Sequence, residues 1–304
     1  MAFQCVVLAK QVPDTKAVTG KAMNDDGTVN RAALPTVFNP DDLHALELAL
    51  EVKDRCGATV TVITMGPPKA ADLLRDCLFR GADRCILITD RRAAASDTLA
   101  TSLVLSAAVK KLGHVDLIVC GRQAIDGDTA QVGPQTAEKL GIPQASYVEK
   151  LLEVGNSTIR VRRNLGHGWE IVEGRLPMLL TVTDEANEPR SAAAKKLMKF
   201  KAARIPIEVE REVAANLPAA TDAEKAAEVA NRLEALKIRG LLIEQWDLDT
   251  IHVDPTTVGL KGSPTWVHRV QSIVLTASGF TKVEPTTEGI TTLIHELIED
   301  HTIG

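Results

Sequence analysis

The sequence has no apolar run near the ~18–20 residues that a membrane-spanning helix needs. Its opening, MAFQCVVLAKQ, lacks a signal-peptide layout, so neither a transmembrane segment nor export is expected. There is no C-x-x-C pair: the five cysteines, Cys5, Cys56, Cys77, Cys85 and Cys120, are odd in number and widely spaced. That pattern predicts reduced, mostly buried thiols in a cytoplasmic protein rather than a disulfide framework. Also missing are G-x-G-x-x-G, the phosphate-loop G-x-x-x-x-G-K-[ST], H-E-x-x-H and G-x-S-x-G. The seven histidines are scattered, and His295 and His301 lie too far around a helix to share a face, so no metal site is expected. A net charge of −5 argues against a general nucleic-acid binder. No internal repeat or low-complexity segment is present.

What the 304 residues do contain is an ordinary globular mix, 45% apolar and 25% charged. That length suits two modest domains, or one large α/β domain with a long extension. Short apolar runs rich in Val and Ile occur at 3–9, 59–65, 85–90, 116–120 and 178–184. They predict strands buried on both faces. Helices are predicted between them. One starts at Asn39-Pro40-Asp41-Asp42, with an N-cap, a proline at the first helical position and acids in the first turn, and stops at Gly57. A second follows Gly66-Pro67-Pro68 and stops at Gly81; a third runs from Ser96 to about Leu112. This alternation predicts an α/β fold, a mostly parallel sheet with helices on both faces.

Two departures from the repeat stand out. The stretch between the first strand and first helix, with Lys10–Thr15 and an Asp26-Gly27 turn, is long enough to be functional or to carry its own hairpin. Segments 145–154, 158–164 and 169–173 read as antiparallel strands that extend the sheet or pack beside it. From Pro189 to Ile207 there is no acid, while Arg190, Lys195, Lys196, Lys199, Lys201 and Arg204 are basic. Thr221-Asp222-Ala223-Glu224 is a capping-box pattern, and a last helix is expected near 289–300. The C-terminal third cannot easily build a core of its own and reads as an arm that packs on something else. Trp169, Trp246 and Trp266 read as packing residues.

The richest stretch is Gly121-Arg-Gln-Ala-Ile-Asp-Gly-Asp-Thr-Ala-Gln-Val-Gly-Pro134. It leaves the carboxyl end of a buried strand and opens a helix, where open α/β sheets bind ligands. A helix start offers unpaired N–H groups and partial positive charge to a phosphate. Gly127 and Gly133 allow close backbone approach, and Asp128 and Thr129 suit a helix cap or a ribose. The same residues also fit a polar turn with a cap. Ala9, Gly66, Asn39–Asp42 and Ser96–Thr98 fall at the same predicted edge. Asp41 and Asp42 read as partners of the helix dipole, or as an acid–base pair. No catalytic constellation is found.

These residues resemble the beta subunit of electron transfer flavoprotein. The resemblance rests on Lys10–Thr15, Asn39-Pro40-x-Asp42, the 120–134 loop, Asn187-Glu188-Pro189-Arg190 and Gly262-Ser263-Pro264-Thr265, all in family order. It implies an adenine-nucleotide alpha-hydrolase-like α/β domain over residues 1–186, a partner-recognition loop at 187–205, and a C-terminal arm at 206–304 that wraps an alpha subunit. It also implies a heterodimer whose alpha subunit carries FAD. In one branch of the family the beta subunit holds AMP as a structural nucleotide and serves acyl-CoA dehydrogenases and a quinone reductase. In the other it holds a second FAD, takes a hydride from NADH and splits the electron pair between high- and low-potential acceptors, the latter of ferredoxin type. Met65–Pro68, Leu74–Leu78, Asp97–Ser102 and the Gly127-Asp128-Thr129 form of the loop resemble the second branch, since small residues beside the phosphate leave room for a dinucleotide.

By that resemblance the nucleotide contacts are Ala9, Asn39, Pro40, Asp41, Asp42, Gly66 and the run Arg122, Gln123, Ala124, Ile125, Asp126, Gly127, Asp128, Thr129, Ala130, Gln131, Val132, Gly133 and Pro134. Arg122 would place a charge near the flavin or nicotinamide. Arg190, Ala194, Leu197 and Met198 would meet the dehydrogenase. There the chain departs from its relatives, because Ser191-Ala192-Ala193-Ala194 stands where they keep an aromatic and an apolar anchor. An insertion at about 214–254 has no family role.

Overall fold

The structure, a computed structural model, describes residues 3–14, 34–266 and 282–299. Thr15, the Asp26-Gly27 turn and Asp300 lie outside them. The elements in chain order are β1 (Gln4–Leu8), β2 (Gln11–Pro13), β3 (Thr36–Phe38), α1 (Pro40–Cys56), β4 (Thr59–Met65), α2 (Ala71–Arg80), β5 (Arg84–Ile88), α3 (Thr98–Leu112), β6 (Leu117–Gly121) and α4 (Val132–Leu140). They continue with β7 (Gln144–Val154), β8 (Thr158–Asn164), β9 (Trp169–Arg175), β10 (Met178–Val182), α5 (Ala194–Phe200), α6 (Pro206–Asn216), α7 (Asp222–Ile238), β11 (Glu244–Trp246), α8 (Gly259–Gly262) and α9 (Thr287–Glu299).

Strand periodicity builds two cores from one sheet. Successive side chains point to opposite faces, so Cys5 and Val7 join one apolar cluster with Leu46, Leu50, Leu74 and Leu78 of α1 and α2. Val6 and Leu8 join another with Val104 and Ala108 of α3 and Ala137 of α4. Each such Val or Leu, fully buried, contributes about 1.5–3 kcal/mol. The nine strands run in the order β11-β5-β4-β1-β6-β10-β7-β8-β9. Pairing is parallel from β11 through β7, and β7–β8 and β8–β9 are antiparallel. The expected antiparallel segments therefore extend the main sheet. The long β1–α1 connection does carry its own hairpin, in which β2 pairs antiparallel with β3. Right-handed crossovers place α1 and α2 on one face and α3 and α4 on the other, and the order reverses between β1 and β6.

Helix ends follow the sequence signals with local differences. Pro40 opens α1, and Gly57 closes it with φ 70°. Asp97 caps α3 through Ala100 N–H. The capping box at Thr221 forms: Glu224 N–H donates to Thr221 Oγ1 at 3.3 Å, and Thr221 N–H donates to Glu224 Oε2 at 2.7 Å.

The tail differs most from the sequence reading. The chain divides into two compact units, residues 1–268 and 269–304. Much of the segment expected to pack elsewhere belongs to the first: Val209, Val213, Leu241, Ile243, Leu248, Ile251, Val253 and Val258 are buried. β11 joins the sheet edge beside β5, and Arg84 grips Glu244 through two hydrogen bonds of 2.6 and 2.8 Å. These short apolar runs complete a core that the first half of the chain leaves open, which composition alone does not reveal. Of the tryptophans, Trp246 packs as expected, while Trp169 and Trp266 are exposed. In the second unit, α9 sets Ile290, Leu293, Ile294 and Ile298 at helical spacing, all exposed.

All five cysteines are free and all but Cys56 are buried. Among the described residues, no helix is long and apolar enough to cross a membrane, and no cluster of His, Cys, Asp and Glu is placed to hold a metal.

Candidate functional site at the carboxyl edge of the sheet

The reversal of strand order opens a crevice between the carboxyl ends of β1 and β6, the place where open α/β sheets take ligands. The start of α1 fills its floor. Asp42, read from sequence as a dipole partner, is instead a buried clasp. Its Oδ2 accepts Lys10 N–H beyond β1 and its Oδ1 accepts Gly121 N–H at the end of β6, each at 2.8 Å. Burial pushes its carboxyl up to about 7, and the neighbouring Asp41 charge adds to this. The Gly121 and Lys10 N–H groups and the Asn39 side chain oppose it by favouring the charged form. Asp41 is buried too, and desolvation raises its pKa against the pull of Arg122, whose Nε lies 3.4 Å from Asp41 Oδ2. Gly121 makes the approach possible: a Cβ there would stand 2.6 Å from Asp41 Cβ and 2.6 Å from Asp42 Oδ1.

Asn39 sits at the N-cap position but makes no side-chain cap. Fully buried, it clamps the next loop: Nδ2 donates to Gln123 carbonyl at 2.8 Å, and Oδ1 accepts Ile125 N–H at 3.1 Å. Buried backbone groups need such partners, so one side chain sets the path of the loop. Within it, Gly127 and Asp128 N–H donate to Ala124 carbonyl at 3.2 and 2.9 Å. Two residues outside the predicted contact set, Thr98 already placed at this edge by the sequence, hold the loop's outer side. Lys10 Nζ pairs with Asp126 at 2.7 Å, and Thr98 Oγ1 donates to Gln131 Oε1 at 2.8 Å. Lys10 stands directly after β1 and Thr98 opens α3, and those positions were the available signal.

The expected cap by Asp128 or Thr129 does not form. Gln123 Nε2 donates to Asp128 Oδ1 at 3.0 Å, and α4 starts later, at Val132, with no side-chain cap. The first bond of α4 runs from Gln135 N–H to Gln131 carbonyl, so the N–H groups of Val132 and Gly133 precede the helical ladder. Pro134 has no N–H to satisfy. Asp128 and Ala130 hold φ of 49° and 53°, a backbone state uncommon outside glycine and found at ligand loops. Gly127 is open, with nothing within 4 Å of a Cβ, whereas Gly133 is tight: its Cβ would meet Cys120 Sγ at 2.8 Å and Thr181 Cγ2 at 2.9 Å. The smallness of Gly133 thus serves packing of α4 on the sheet. Ala9 is buried at the end of β1, bonded to Ile63 carbonyl at 3.0 Å, and Gly66 follows β4 at the same edge.

A second group gathers on α1 and α2. Glu47, buried in α1, binds the Arg190 guanidinium at 2.8 Å and the Arg190 N–H at 2.9 Å. Asp54 binds the same guanidinium at 2.8 Å. Asn187 Nδ2 donates to His44 carbonyl at 3.0 Å, and Ala193 N–H donates to Phe79 carbonyl at 3.0 Å. Arg190 is thus committed within the chain, while Ala194, Leu197 and Met198 on α5 are exposed, Met198 by 62%.

Fold and edge together define an open, doubly wound α/β protein with a loop-and-helix site suited to a phosphorylated ligand. A sequence profile of the electron transfer flavoprotein domain matches residues 26–207. The electron transfer flavoprotein subunit beta of Clostridium acetobutylicum is 40% identical, covering 98% of this chain and 99% of the relative. The acryloyl-CoA reductase electron transfer subunit gamma of Anaerotignum propionicum is 39% identical, with 98% of each chain covered. The caffeyl-CoA reductase-Etf complex subunit CarD of Acetobacterium woodii is 48% identical over 62% of this chain and 71% of its own. The chain belongs to the electron transfer flavoprotein family, as a beta subunit.

Proposed function

We propose that this beta subunit joins an alpha subunit that carries FAD, holds a second FAD at its own sheet edge, and splits electrons from NADH between an acyl-CoA-type partner and a ferredoxin-type acceptor. The flavin, when bound, supplies the redox chemistry; this chain supplies orientation, charge and exclusion of water. The observation that carries the reading is the uncapped start of α4 beneath a loop pinned by Asn39, Lys10 and Thr98. Its N–H donors match a phosphate. Around them Gly127 has nothing within 4 Å of a Cβ, and Gly127, Asp128 and Thr129 are exposed, so space is left for more than a mononucleotide. Ala9, Gly66 and Asn39–Asp42 would face the adenosine end.

Two relatives bear the names of acyl-CoA reductase systems, which supports a redox partner of the acyl-CoA dehydrogenase class. Leu197 and Met198 on α5 would dock it, and Arg190 would shape the loop from below. The tail beyond residue 268, with the exposed apolar face of α9, would lie on the alpha subunit.

The test is to purify the co-expressed heterodimer intact, release its nucleotides with acid, and quantify FAD and AMP. Two FAD and no AMP per dimer are expected. One FAD and one AMP would refute the second-flavin reading and leave this chain a scaffold and docking subunit that holds AMP.

A further inference from the structure

The segment that leads into α5 has no apolar anchor. From Asp184 to Ala202 no side chain is buried, and only Ala186 and Phe200 touch the core, each in part. α5 itself is seven residues long, buries none of them and lacks a side-chain cap. A helix that short does not hold in water on its own. Hydrophobic burial, which fixes the rest of this fold, does little to fix this stretch.

Polar clamps take its place, and they converge on Arg190. Glu47, buried on α1, accepts the Arg190 N–H at 2.9 Å and grips the guanidinium at Nε and Nη2, at 2.9 and 2.8 Å. Arg80 at the end of α2 donates through Nη1 to the Arg190 carbonyl, and its own Nε is held by Asp76 at 3.0 Å. The backbone of one residue is thus seized at its donor by one helix and at its acceptor by the next. On either side, His44 Nδ1 lies 3.0 Å from the Asn187 carbonyl, and Ala193 N–H, at the start of α5, donates to Phe79 carbonyl at 3.0 Å.

A plain connector needs no such device. Bidentate pairing of an arginine with a carboxylate fixes direction as well as distance. A buried ion pair adds little stability over apolar packing of equal volume, and register is its best-attested service. What these clamps register is α5, whose Leu197 and Met198 are 39% and 62% exposed.

We propose that Glu47 and Arg80 are positioning residues for docking: they hold segment 187–193 in one conformation, so that α5 meets a redox partner already ordered. Neither residue touches the partner; both act through Arg190. The proposal rests on the reading of Leu197 and Met198 as the docking tip and adds what sets its strength. An ordered loop spares the complex the cost of arranging it at the moment of binding. A partner that finds only a fraction of the molecules in the competent arrangement binds more weakly by that fraction.

The test follows reduction of the flavin in the intact heterodimer by an acyl-CoA dehydrogenase and its acyl-CoA, at varied heterodimer concentration, with a dehydrogenase selected for reducing the wild-type dimer. Glu47→Gln and Arg80→Met loosen the clamps from two separate helices, and Met198→Asp alters the tip alone. With about one molecule in ten left in the competent arrangement, each clamp variant raises the KM for the heterodimer about tenfold, while kcat and flavin per dimer stay at the wild-type level. Met198→Asp raises the KM as well. Clamps that served stability alone would lower the melting point and leave the KM of the folded protein unchanged. That result, with the KM raised in Met198→Asp, overturns the positioning role while the docking reading stands. An unchanged KM in Met198→Asp overturns both. Should Glu47→Gln not fold, Arg80→Met carries the test, because Arg80 is only half-buried.

Discussion

Replacing Gly121 by alanine probes the point on which the whole edge turns. The new methyl would stand 2.6 Å from Asp41 Cβ, 2.6 Å from Asp42 Oδ1 and 2.7 Å from the Asp41 carbonyl carbon. That is about 1 Å short of the ~3.5–4.0 Å at which such atoms rest. The obstacle is helix backbone, so α1 must retreat rather than a side chain turn aside. Overpacking of this kind costs about 1–3 kcal/mol. The retreat also stretches the 2.8 Å bond from Gly121 N–H to Asp42, and an unmet buried carboxylate adds about 1–3 kcal/mol. Lower chain entropy in the unfolded state returns about 0.4–1 kcal/mol, leaving a net loss of about 1–5 kcal/mol. Urea unfolding followed by tryptophan fluorescence measures it, with a fall in midpoint at unchanged slope. Gly127→Ala is the internal control: its Cβ meets nothing within 4 Å, and the expected loss is below about 1 kcal/mol. Equal, small losses for the two variants would refute the contact between α1 and β6.

Further predictions concern the other clasps. Because the Asp42 carboxyl is raised from the ordinary carboxylate range to about 7, the folded state binds the extra proton. Its contribution is therefore complete below pH ~4 and is lost as pH rises through 7, roughly 4 kcal/mol in all. Between pH 5 and 8 the unfolding free energy of the wild type should fall by about 2–3 kcal/mol more than that of Asp42→Asn, and parallel profiles would contradict a carboxyl raised by burial. Asn39→Ala strips the buried partners of Gln123 carbonyl and Ile125 N–H; an expected loss of about 2–4 kcal/mol, with reduced nucleotide retention, is checked by melting and by nucleotide analysis. Arg190→Ala leaves buried Glu47 uncompensated. With the arginine partly exposed, about 2–3 kcal/mol of the usual buried-pair loss is expected, and Arg190→Ala with Glu47→Gln should recover most of it in a double-mutant cycle.

How much of this was legible depended on how local each signal was. Strand runs, the Pro40 start, the glycine stops of α1 and α2 and the Thr221 capping box are set by near neighbours, and they appear where the spacing places them. Asn39 and Asp42 carried a local reading that tertiary contacts overrode. The Asn39 cap and the Asp42 dipole role gave way to bonds with groups 84 and 79 residues away. Gly127 and Gly133 look alike in sequence, yet one is open and the other wedged against Cys120 and Thr181. The tail's short apolar runs looked too sparse for a core because the surface they cover lies on another part of the chain.

By itself the sequence determined the alternation of strands and helices and the family. Those follow from hydrophobic period, turn chemistry and motif order, each readable within a window of residues. Only the tertiary structure decided which carboxylate is buried, which glycine is crowded, how the tail closes the sheet edge, and which side chains clamp Arg190. Burial and long-range hydrogen bonds exist only once strands distant in sequence lie side by side. The energies that select among local alternatives at the site are of that kind.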